Sequence, residues 1–157
     1  MPYLAVYVGL LHRSEQTLAD ALRTVGEGHA AEADVLHVCD TLATISEENV
    51  RRLAPIVRRY GEQGSGDDVE EPERLHAQGL AQVRRGPVGL LRDLQDLYVL
   101  GTLVQTTWTV VTQAAQGMRD RELLELAHSA EAGTERQLTW INTRLKAAAP
   151  QALLAAS

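Results

Sequence analysis

The chain contains no Phe and only two Trp and four Tyr, so aliphatic side chains have to fill its interior. One cysteine, Cys39, excludes an intramolecular disulfide and a cysteine-based metal centre, and suits a reducing compartment. Nowhere along the 157 residues do apolar and polar residues alternate as they would in a strand. The longest early apolar run, residues 3–11, is too short to span a bilayer and has no basic residue before it. It reads as neither a membrane span nor a signal peptide, and a cytoplasmic location is expected. A basic excess is also lacking. The net charge is −6, and residues 62–73 hold six acids (Glu62, Asp67, Asp68, Glu70, Glu71 and Glu73) with no Lys or Arg. That leaves 15 acids against 15 Lys and Arg elsewhere, so the acidity is local and the body is neutral. A neutral body argues against a nucleic-acid partner, which would need a basic face. There is no Ser-His-Asp spacing, glycine-rich phosphate loop or zinc pattern, so no catalytic residue is assigned and no cofactor is expected.

What is present is helical. Hydrophobic residues make up 45% and charged residues 23%, values that exclude wholesale disorder. The length suits one domain over residues 1–157, burying roughly 68–70% of the surface its unfolded chain exposes. Residues 4–27 carry Leu4, Val8, Leu11, Leu18, Leu22 and Val25 at steps of three and four, and Gly28 is a natural terminator. Residues 32–60 repeat the pattern with Val35, Val38, Leu42, Ile45, Leu53 and Ile56, with a kink or short break expected at Pro55. Residues 61–72 are a flexible, acidic linker by composition, and a short helix is expected over 73–83, just after Pro72.

Pro87 opens a third long segment that runs to about residue 116, where Gly117 is expected to end it. A fourth covers 120–148 and is stopped by Pro150. Tight connections near residue 29 and at residue 117 make two hairpins, and residues 61–86 can run the bundle's length between them. The fold class is therefore all-α: an antiparallel four-helix bundle of two hairpins joined by a long crossover.

Two long hairpins joined by a crossover resemble the ferritin-like superfamily over nearly the whole chain. The resemblance implies a mid-bundle di-metal site, with Glu on helices one and three and Glu-x-x-His on helices two and four. Two such strings exist, Asp34-x-x-His37 and Glu125-x-x-His128. At about 100° per residue, His37 falls about 200° from Val35, while Glu125 and His128 fall about 200° and 140° from Leu123. Both strings point to the solvent side, and no metal ligand is assigned. The inward polar residues at mid-bundle are instead Glu15, Ser46, Asn49, Gln105, Thr134 and Gln137, with Gly101 beside them. One carboxylate without imidazole is a poor site for a divalent ion. This layer reads as a hydrogen-bonded network that fixes helix register, or alternatively as a pocket for a small polar ligand.

The third helix has twenty residues, 97–116, without a charge. Leu97, Gly101, Val104, Trp108, Val111 and Ala115 form its core stripe. Val99, Leu103, Thr106 and Val110 form a second stripe about 180–240° away. A helix apolar on both faces needs a cover on the outer one, so a homo-oligomer or protein partner is expected there, with Val6 and Leu10 extending the contact. Arg51, Arg52, Arg58 and Arg59 share one side of helix two, where the acidic linker could fold back on them. Cys39 is expected as a small buried hydrophobe, and His12, His29 and His76 as isolated surface residues. Residues 71–76 are similar to the Glu-Pro-x-Asp-His linker motif of the all-helical chaperones that mature molybdoenzymes. Here the Asp is missing and the His is displaced by one. Taken together, a non-catalytic bundle acting by association is the leading expectation, with metal handling, ligand binding and enzyme maturation as alternatives.

Overall fold

A computed structural model describes residues 2–63, 78–80 and 82–155. Four helices make up almost all of it: α1 (Pro2–Gly28), α2 (Ala33–Gln63), α3 (Gly86–Met118) and α4 (Arg121–Pro150). The chain is an all-α four-helix bundle, as its periodicity predicts. Every α1 stripe residue from Leu4 to Val25 is buried, and so is the whole α3 stripe from Leu97 to Ala115. On α2, Val35, Leu42, Leu53 and Ile56 are buried, while Val38 and Ile45 lie half-buried at the margin.

Polar contacts at the two ends fix the helix directions. At one end Arg59 and Tyr60 of α2 both reach Asp120 at the start of α4. At the other, His29, just past α1, meets Asp93 of α3. There too, Arg144 near the end of α4 reaches Asp34 at the start of α2. The helices therefore run up, down, down and up, and the connection after α2 has to pass from one end of the bundle to the other. Its described part brings Leu80 and Val83 against the core. Within the hairpins the helices approach closely. A Cβ on Gly101 would come within 2.8 Å of the Leu138 side chain on α4.

Four local expectations change. Helix α2 runs through Pro55 without the short break that is one of the two forms expected there; Pro55 lies exposed, where water can take the carbonyl its missing N–H would have bonded. The expected helix over 73–83 is not formed at 78–80 or 82–83, and its remaining residues lie outside those described. Pro150 does not stop the chain's helical course. The lost N–H widens the path into a π-helical turn, Gln151–Ala155, and Ala152 packs inward.

The fourth concerns the α3–α4 turn. Gly117 stays helical, and Arg119 takes the left-handed conformation, with φ 58°. The Arg119 and Asp120 amides donate to the carbonyls of Gln116 and Ala115 at 3.2 and 3.0 Å, closing the helix end. A non-glycine residue is strained there, so Arg119→Gly should stabilise the fold by roughly 0.5–1 kcal/mol. The check is urea denaturation: the midpoint should rise with an unchanged slope.

Asp120 then caps α4, accepting from the Leu123 amide at 3.1 Å, and takes Arg59 at 2.9 Å and the Tyr60 hydroxyl at 2.5 Å. Burial works to raise its pKa, but the Tyr60, Leu123 and Arg59 hydrogen bonds outweigh it and hold the carboxyl below its usual value. A depressed carboxyl contributes stability above its unfolded pKa of about 3.9 and loses it as pH falls through the folded value. Asp120→Asn should cost about 1–2 kcal/mol at neutral pH and flatten the acid limb of the stability profile below about pH 4. Denaturation midpoints of both proteins between pH 2 and 7 measure this.

Candidate functional site

Glu15 is carried into the core by the same spacing that buries Leu11 and Leu18, and its side chain is fully buried. Its Oε2 accepts from Asn49 Nδ2 of α2 at 2.7 Å and from Trp108 Nε1 of α3 at 3.1 Å. One turn along α2, Ser46 Oγ accepts from Gln137 Nε2 of α4 at 2.8 Å. The same amide nitrogen donates to the Leu42 carbonyl at 2.9 Å. Residues from all four helices thus meet in one buried layer.

The layer differs in three places from its sequence reading. Gln105 is exposed and takes no part, since it lies at the edge of the α3 stripe and turns outward. Thr134 is buried, but its hydroxyl bonds back to the Ala130 carbonyl of its own helix at 2.9 Å. Trp108, read only as an apolar stripe residue, supplies the α3 donor. Its indole N–H is the signal in the sequence, because a buried indole N–H needs an acceptor.

Burial raises the Glu15 pKa, against weaker opposing hydrogen bonds from Trp108, Asn49 and Ser46. Two buried acceptors in the layer, Glu15 Oε1 and Gln137 Oε1, have no hydrogen-bond partner among the described residues. The donor set does not fit the di-metal site implied by the ferritin-like resemblance. It offers one carboxyl, two amides, a hydroxyl and an indole, with no imidazole. Among the described residues, no group of three or more His, Cys, Asp or Glu could hold a metal ion. Asp34 is paired with Arg144, and His37, Glu125 and His128 are exposed.

A second buried cluster sits at the end of α1, and the sequence reading missed it. His29 is buried, not a surface residue, with Nε2 at 2.8 Å from Asp93 Oδ2. The Arg84 backbone amide and guanidinium each reach Asp93 at 2.9 Å, and the guanidinium also reaches Asp96 at 2.7 Å. Asp93 precedes Leu97 by four residues on the core stripe, so it needed a partner. His29 is isolated in sequence only. His12 is half-buried, and burial lowers its pKa against a hydrogen bond involving the Val50 backbone. His76 and residues 71–76 lie outside the described part. Cys39 is buried, and burial and then Asp34 push its thiol up to about 12, so it is an inert hydrophobe.

The outer face of α3 keeps Val99 64% and Val110 47% exposed, with Thr106 exposed and Leu103 half-buried. On α1, Tyr3 and Tyr7 are exposed and Val6 is half-buried. Leu10, expected on this face, is only 8% exposed: α1 packs against both α2 and α3, so its buried stripe is wider than one row. Of the α2 arginines, Arg51 pairs with Glu48, Arg52 reaches Ser129 at 3.2 Å and Arg59 pairs with Asp120. The acidic linker expected to meet them lies outside the described residues. No protein-family model, curated protein or solved structure matches the chain.

The raised Glu15 pKa sets a pH dependence. The native state holds its proton to higher pH than the unfolded chain does, so this group's contribution falls as pH rises through the interval from about 4.3 to the folded pKa. Glu15→Gln keeps the shape and removes the titration. Its stability relative to wild type should therefore increase from pH 4 to pH 8, by chemical denaturation at each pH. A constant difference would show that Glu15 titrates normally.

Proposed function

We propose that this chain is a non-catalytic helical bundle of ferritin-like layout that acts by associating with a second copy of itself through the outer face of α1 and α3. The observation that carries the reading is the uncharged exposed stripe of Val99, Thr106 and Val110. Tyr3 and Tyr7 on the neighbouring helix add apolar surface to it. Charge-free surface running several turns is worth covering, at roughly 25 cal/mol per Å² of apolar area. Twenty residues of α3 extend for ~30 Å, and α1 lies ~8–10 Å to the side. Gly79 and Leu80 of the crossover lie beside Thr17 and Ala21 of α1, so the open part of this face is the α3 stripe with the Tyr3 and Tyr7 end of α1. The up-down-down-up order supports the ferritin-like layout, and a buried, inert Cys39 suits a cytoplasmic setting. The donor set at mid-bundle supports a structural rather than a metal-handling layer. No helix among the described residues is long and apolar enough to cross a membrane.

Sedimentation at tens of micromolar should give a dimer. Val99→Glu with Val110→Lys should give a monomer with unchanged helical circular dichroism, because both residues are exposed and outside the core. A wild-type chain that sediments as a monomer overturns self-association.

A further inference from the structure

On the opposite side of the bundle, α2 and α4 part to leave a cavity of about 500 Å³. Its lining includes two arginines, Arg52 from α2 and Arg136 from α4, with Ser129 beside Arg52 and Asn49 also in the wall. The one carboxylate in the lining, Glu48, is taken by Arg51. Arg52 makes a single 3.2 Å bond, to Ser129, and Arg136 has no hydrogen bond or ion pair among the described residues. The cleft is therefore net cationic and short of acceptors. Arg136 lies seven residues beyond Ser129, which is level with Arg52, so the two charges attach about 10 Å apart along the helices. Small residues on α4 shape the cleft. A Cβ on Gly133 would come within 2.7 Å of Ile45 Cγ2, so Ile45 sits back against the glycine and leaves the space clear.

We propose that this cleft binds a small dicarboxylate, one carboxylate on Arg52 and the other on Arg136, with Asn49 and Ser129 beneath. Arginine suits the task because its planar donor fork matches a carboxylate in two parallel hydrogen bonds. Two separated cations favour an anion charged at both ends over a compact one. The site is independent of the α1–α3 face, and its failure leaves the association reading intact.

The test is calorimetric titration of the full chain with succinate and glutarate at constant ionic strength, with sulfate as the compact anion and putrescine as the cationic control. The expected result is saturable binding of a dicarboxylate, at least tenfold tighter than sulfate, and none of putrescine. Arg136→Gln and Arg52→Gln, both exposed residues, should each weaken it at least tenfold with circular dichroism unchanged, whereas Arg58→Gln should not. Gly133→Ala keeps both charges but drives Ile45 toward the cleft, and should also weaken binding. No saturable binding of either dicarboxylate, sulfate binding as tightly, or binding that survives Arg136→Gln each overturns the proposal.

Discussion

A carboxyl in the middle of an aliphatic core is the constraint around which the bundle is arranged. Glu15 is fully buried, and an unpartnered carboxylate in that position is too unfavourable for a fold to tolerate. The donors to its Oε2 come from two different helices, Asn49 on α2 and Trp108 on α3. Ser46 and Gln137 then tie α2 to α4 within the same layer. Aliphatic stripes alone would let neighbouring helices slip by a turn and still bury much the same area. A slip of any of α1, α2 or α3 breaks a Glu15 bond, so the polar layer selects one register among many of similar hydrophobic energy. Replacing such a network by well-packed apolar groups can leave stability unchanged or raise it, so burial of the layer is not by itself a measure of its contribution to stability.

The two ends solve a related problem with one acid each. Asp93 collects His29 and both the amide and guanidinium of Arg84, gathering the end of α1, the crossover and the start of α3. Asp120 collects Arg59, Tyr60 and the Leu123 amide, gathering the end of α2 and the α3–α4 turn. Both acids are held by several donors from different segments, so each offsets its own desolvation and fixes chain direction as well. The Tyr60 hydroxyl shows the same coupling from the other side. Burial first, and then Asp120, pushes it up to about 12. A raised acid is stabilising in its neutral form below the unfolded tyrosine value of about 10, and that contribution is lost as pH climbs toward the folded value.

The stripes and hairpins were legible because a period near 3.6 residues survives in the sequence whatever the neighbours are. What was not legible depended on facts that period cannot carry. Leu10 lies off the centre of the α1 stripe and is buried because two helices, not one, press on α1. Gly117 looked like the natural end of α3, but the left-handed turn fell on Arg119, where the hydrogen-bond geometry of the closing turn required it. His29 pairs with none of the acids near it in sequence, because its partner Asp93 is 64 positions away on another helix. The polar layer was half visible. Angular position found Glu15, Ser46, Asn49 and Gln137, but sorting residues into polar and apolar hid the indole N–H of Trp108.

The arrangement also separates two surfaces of opposite character. Because α1 pairs with α3 on one side and α2 with α4 on the other, the uncharged stripe and the arginine-lined cleft look in opposite directions. Apolar residues on the first face can be covered without desolvating a charge. The second face keeps its guanidinium groups in water, where arginine is best left unless an anion meets it. Association through α1 and α3 would place both clefts of a two-fold dimer on its outside. Covering one surface therefore does not occlude the other. What joins them is Asn49, which lines the cleft and donates to Glu15 Oε2, which also accepts from Trp108 on the helix that carries the uncharged stripe.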